Sequence, residues 1–174
     1  AHKFHGPKGI GFLYTSSMDF DSYIHGGDQE QKKRAGTENL AAIVGMVASL
    51  KEDLEKQEEH FQHVQNLETA FLAELEDIQY YLNRGQDHLP YVLNIGFPGQ
   101  KNDLLLLRLD LAGISISTGS ACTAGIVQSS HVLEAMYGAN SERLKESVRI
   151  SLSPQNTVED LQTLAKTLKE IIGG

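Results

Sequence analysis

The chain has 174 residues, a formal net charge of −8, 40% hydrophobic and 22% charged residues, and one cysteine. That length suits one domain, or one domain with part of another, and allows a core that removes roughly 70% of the unfolded surface from water. The acidic balance argues against duplex nucleic acid or an anionic membrane as direct partner, and the lone cysteine excludes an internal disulfide and suits a reducing, cytoplasmic setting.

Residues 1–36 are turn-rich, with Gly6-Pro7, Gly9, Gly11 and Gly26-Gly27, and too poor in apolar residues to form a core alone. Ile10 to Tyr14 is expected to form one short strand. At Thr37 the character changes, and Thr37 is read as the cap of a helix. Leu40, Val44, Val47, Leu50 and Leu54, then Phe61, Val64, Leu67, Phe71, Leu75 and Ile78, keep three- and four-residue steps. They predict one long helix, or two nearly collinear ones, over about 38–77. Tyr91 to Phe97 reads as a strand stopped by Pro98-Gly99. A short helix follows over 103–111, capped by Asn102 or Asp103. Ile114 and Ile116 suggest a strand leading into the small-residue loop Ser117 to Gly125. His131 to Tyr137 looks helical, Ser147 to Ser153 alternates with Val148, Ile150 and Leu152 on one face, and Thr157 starts a final helix striped by Leu161, Leu164, Leu168 and Ile171. The order predicts an α+β fold, a small sheet packed by helices.

Five places carry candidate chemistry. Lys3, beside His2 and ahead of a Gly/Pro turn, reads as a Schiff-base amine for a carbonyl cofactor or as an exposed lysine. Cys122 stands in a loop with no side chain larger than threonine or cysteine, and reads as a reactive thiol or as a small buried hydrophobe. Arg149 lies opposite the apolar face of its strand, with small Ser147 and Ser151 beside it. It is either solvated or free to grip a carboxylate through two bonds. Arg34-Ala35-Gly36-Thr37, ahead of the long helix, forms an ordinary cap or an anion site. His60 and His63 could mimic a metal pair but lie in an acidic, polar stretch, so a solvated face is expected; His25, His88 and His131 form no zinc spacing with Cys122.

Together these segments resemble the group I cysteine desulfurases, the NifS/IscS-type enzymes of the class V aminotransferase superfamily. His2-Lys3 with His5 to Gly11 is similar to the family's cofactor-lysine motif. His25-Gly26-Gly27 with Arg34 to Asn39 is similar to its phosphate-contacting segment, Ser117 to Thr123 to its cysteine loop, and Val148 to Leu152 to its substrate-carboxylate strand. Asp28 departs from the glycine run usual there, and Gln29 to Lys33 are unusually polar. The resemblance implies pyridoxal 5′-phosphate carried on Lys3, with His2 and Thr37 on its phosphate, Thr37 from the neighbouring subunit of a homodimer. It implies L-cysteine as substrate, its carboxylate on Arg149, its Cα proton taken by Lys3 and its sulfur left as a persulfide on Cys122. A sulfur-acceptor or scaffold protein is the implied partner, in iron–sulfur cluster assembly or tRNA thiolation. The fold implied is the α/β PLP fold type I family. Because that family's large domain lies mostly ahead of the lysine, residues 1–36 are expected to end the large domain and 37–174 to form the small one, the isolated chain being inactive. The alternatives are a non-catalytic domain that binds sulfur acceptors, or another class V lyase such as one acting on selenocysteine.

Overall fold

A computed structural model of the chain describes residues 1–119 and 130–173. It divides into two compact units, 1–57 and 58–174.

The first unit is irregular up to the long helix α1, Leu40–Glu74, which runs on into the second unit. Ile10 to Tyr14 forms no strand. Phe12, Leu13 and Tyr14 are exposed, and the bridge between Ile24 and Arg34 is isolated, so the segment has no ladder to join. The helix begins at Leu40 rather than beside Thr37. Asn39 supplies the cap, its Oδ1 accepting the Ala42 N–H at 3.2 Å. Thr37 itself is exposed in the preceding loop. Along this half of α1, Leu40, Val44, Val47 and Leu54 are exposed, and the unit's buried apolar side chains are Ala35 and Met46.

The second unit holds the core. A four-stranded sheet is ordered β1 (Tyr81–Leu82), β2 (Val92–Gly96), β4 (Ser147–Ser151), β3 (Ser117–Thr118), with every pairing antiparallel. Successive side chains of a strand take opposite faces. Leu93, Ile95, Val148 and Ile150 therefore share one face, and all four are buried. Against it pack Val64, Leu67 and Phe71 from α1 with Leu75 just past its end, Leu105 and Leu109 from α2 (Asn102–Leu111), and Leu161, Leu164 and Leu168 from α5 (Val158–Gly173). Two short helices, α3 (His131–Tyr137) and α4 (Arg143–Glu146), lead into β4. Helices on one face of an antiparallel sheet make the α+β fold expected.

Local chemistry sets several ends. Thr157 and Asp160 cap α5 reciprocally: the Asp160 N–H donates to Thr157 Oγ1 at 3.2 Å, and the Thr157 N–H to Asp160 Oδ2 at 3.0 Å. The Thr157 backbone N–H, followed by the Asn156 amide, holds the Asp160 carboxyl below its ordinary range. Neither Asn102 nor Asp103 is the residue before α2; that is Lys101, without a side-chain cap. The Asn102 amide instead donates to the Leu144 and Ser147 carbonyls, tying α2 to the start of β4. His63 is likewise not on a solvated face. It is half-buried, with Nε2 3.0 Å from the Asn156 carbonyl, and joins α1 to the turn before α5.

Candidate functional site

The expected site residues fall into both units. In the first, His2 and Lys3 lie exposed on a single 3-10 turn, His2–Phe4, closed by the Phe4 N–H on the Ala1 carbonyl at 3.1 Å. His5 follows at φ 63°, a left-handed position that reverses the chain toward Gly6-Pro7. The turn is seated on α1. A Cβ at Gly45 would lie 2.9 Å from the Pro7 ring, so glycine permits that approach, and Ser49 Oγ donates to the His5 carbonyl at 3.3 Å. The Lys3 amine makes no hydrogen bond or ion pair among the described residues. Ahead of α1, the Arg34 guanidinium turns onto the Ala35 carbonyl at 2.6 Å, and the Gly36 N–H donates to Gln29 Oε1 at 3.1 Å.

The second unit carries Arg149 on β4, with β2 and β3 on its two sides. Its neighbours in register are Asn94 on β2 and Ser117 on β3. Because the adjacent Val148 and Ile150 fill the core, Arg149 stands on the opposite, polar face. It is half-buried, and its guanidinium makes no hydrogen bond or ion pair among the described residues. A half-buried guanidinium without a partner among the described residues is suited to a planar anion such as a carboxylate. Cys122 lies outside the described residues.

Sequence reasoning missed the network beside Arg149. Asn83, just past β1, is buried. Its Nδ2 donates to Asn94 Oδ1 and to Ser147 Oγ, both at 2.8 Å, and its Oδ1 accepts from Arg143 Nη1 at 2.9 Å. The Arg143 guanidinium is sandwiched between the rings of Tyr81 and Tyr137, 4.1 and 4.4 Å from their centres. Tyr81 crosses β2 to donate to Glu146 Oε2 at 3.0 Å, while Glu146 Oε1 accepts the Gly99 N–H at 2.7 Å. Gly96 makes this crossing possible: a Cβ there would lie 2.2 Å from the Tyr81 ring. Burial, above all, pushes the Tyr81 hydroxyl up to about 12. The pairing of Asn94 and Ser147 through Asn83 depends on antiparallel register, which no local pattern reveals.

A second polar cluster also escaped the sequence. The Glu68 carboxylate, buried on α1, is held by Arg84 and by His88, whose Nε2 lies 3.2 Å from Glu68 Oε2. It fastens the loop after β1 to α1. Among the described residues no group of acidic, histidine or cysteine side chains is arranged to hold a metal ion, and no helix is long and apolar enough to cross a membrane.

The Aminotransferase class-V family profile matches residues 1–164, and the chain belongs to that family. Its sequence is 44% identical over 175 residues to the IscS 1 protein of Bacillus subtilis, a match covering 98% of this chain and 46% of that protein. It is 38% identical to the cysteine desulfurase IscS of Dictyoglomus turgidum, covering 99% of this chain and 44% of that one. Among solved structures it is similar to a NifS-like protein, with a TM-score of 0.85 and 32% identity over 99% of this chain and 44% of the other. The chain thus spans about half the length of the curated relatives it matches.

Proposed function

We propose that this chain serves a cysteine desulfurase, in which L-cysteine becomes L-alanine and its sulfur is left as a persulfide on Cys122. The observation that carries the reading is a similarity to cysteine desulfurases running over 98–99% of the chain, through all four motif segments. Residues 1–36 would belong to the cofactor domain and 37–174 to the small domain.

The donor set suits pyridoxal 5′-phosphate. Lys3 offers a primary amine, exposed and without a partner among the described residues, for the carbonyl carbon. His2 and Thr37, both exposed, offer an imidazole and a hydroxyl for phosphate oxygens. When bound, the cofactor supplies an electron sink for the bonds broken at substrate Cα and Cβ. The protein's own residues do the rest. Arg149 orients the substrate through its carboxylate, and Lys3 Nζ takes the Cα proton. The Cys122 thiolate attacks the substrate sulfur, so an S–S bond forms as the Cβ–S bond breaks. The bonding pair stays with Cβ, which is then protonated. Sulfur has moved from one thiol to another, and no external oxidant is needed. Thr37 would act from the neighbouring subunit of a homodimer, in the cytoplasm, and the persulfide would pass to an acceptor or scaffold protein for iron–sulfur cluster assembly or tRNA thiolation.

The test is cysteine-dependent alanine release by the cofactor-loaded, full-length protein. Release should be lost in Cys122→Ser and in Lys3→Ala. Alanine release that survives Cys122→Ser unchanged contradicts the reading, and a marked preference for selenocysteine would reassign the substrate.

A further inference from the structure

We infer that Asn94 is a second ligand for the substrate carboxylate, working beside Arg149; the inference rests on the desulfurase reading, in which Arg149 holds that group. Asn94 is the residue directly opposite Arg149 across the β2–β4 pair, on the same polar face of the sheet. Directly opposed residues of an antiparallel pair have Cβ atoms about 4.5–5.5 Å apart, close enough for two side chains to meet one carboxylate.

Which end of the Asn94 amide faces outward follows from donor and acceptor logic. Arg143 can only donate, so the atom of Asn83 that receives its 2.9 Å bond is the oxygen. The Asn83 nitrogen is therefore the atom that reaches Asn94 and Ser147, each at 2.8 Å. Asn94 must then meet Asn83 with its oxygen. Its own Nδ2, carrying two N–H groups, has no acceptor among the described residues. Among the described residues, a half-buried amide whose oxygen is engaged and whose donors are idle, beside a guanidinium without a partner, makes a two-residue donor surface. An anion with two coplanar oxygens satisfies both.

The network explains why the donor holds its place. Arg143 is fixed by two aromatic faces, Asn83 by Arg143, and Asn94 by Asn83. Ser117, on the other flank of Arg149, makes no side-chain hydrogen bond among the described residues and carries no such constraint. Asn94 thus arrives preorganised, its orientation set before any ligand enters.

The experiment is a binding titration of the cofactor-loaded, full-length protein in the Cys122→Ser background. It follows the change in cofactor absorbance on adding L-alanine or ethylamine, which lacks the carboxylate. Asn94→Ala should weaken L-alanine by about ten- to hundredfold and leave ethylamine unchanged. Asn94→Asp, which keeps an oxygen for Asn83 but replaces the donors by an acceptor, should weaken L-alanine at least as much. Its folding is checked by a melting curve like the parent's. Equal weakening of both ligands, or of neither, overturns the inference. Arg149→Ala separates the two levels. If Arg149→Ala abolishes the preference for L-alanine while Asn94→Ala keeps it, only the role of Asn94 fails. If Arg149→Ala also keeps that preference, the assignment of Arg149 fails and the role of Asn94 with it.

Discussion

The two halves of α1 carry the same apolar rhythm and meet different fates. In the second unit Val64, Leu67 and Phe71 are buried against the sheet, α2 and α5. In the first, Leu40, Val44, Val47 and Leu54 continue the stripe with roughly half or more of each side chain exposed. Periodicity therefore specifies a helix and a face, but stabilisation comes only where another apolar surface meets that face. The difference also separates how the candidate residues are held. Arg149 and Asn94 lie on the sheet of the core-bearing unit, while Lys3 lies on one turn that rests on Gly45 and Ser49.

Substitutions along the two stripes test that contrast. Phe71→Ala, in the buried half, should lower the stability of the second unit by about 3–5 kcal/mol, read by chemical denaturation. Gly96→Ala should cost about 1–3 kcal/mol, because the new methyl must displace the Tyr81 ring. Loss of the late-titrating tyrosine in the ultraviolet phenolate titration should accompany it. The third effect is one of pH. Tyr81 ionises near 10.0 when unfolded and at about 12 when folded. Its contribution to stability is complete below the lower value and is lost as pH rises through the higher one. Melting curves over that alkaline range should fall less steeply for Tyr81→Phe than for the parent. Leu54→Ser, on the exposed half of α1, should shift stability by no more than about 0.5 kcal/mol. A loss as large as that of Phe71→Ala would show that the outer stripe is buried against an apolar surface.

Much of the second unit was legible because its elements write their periods locally. The alternation of Val148, Ile150 and Leu152, the stripe of α5 and the strand before Pro98-Gly99 all follow from residues within a few positions of one another. What escaped was non-local. Strand β1 has two residues and exists only through pairing with Gly96 and Ile95. Asn83, Asn94, Arg143 and Ser147 are bound into one network by register, and Glu68 meets Arg84 and His88 across a loop. Thr37 was read as a cap because it is a hydroxyl residue ahead of a helix, yet Asn39 stands next to the first turn and takes the bond. Lys3 and Arg149 stood out as candidates through the company their motifs keep. The pairing of Arg149 with Asn94 needed the sheet.

The most direct test follows the sulfur itself. The cofactor-loaded, full-length protein is given L-cysteine, trapped with a thiol-blocking reagent, digested and mapped by mass spectrometry. The account predicts one added sulfur atom on the peptide containing Cys122, formed in step with alanine and absent from Lys3→Ala. Alanine formed in the parent protein with no added sulfur at Cys122 would contradict it.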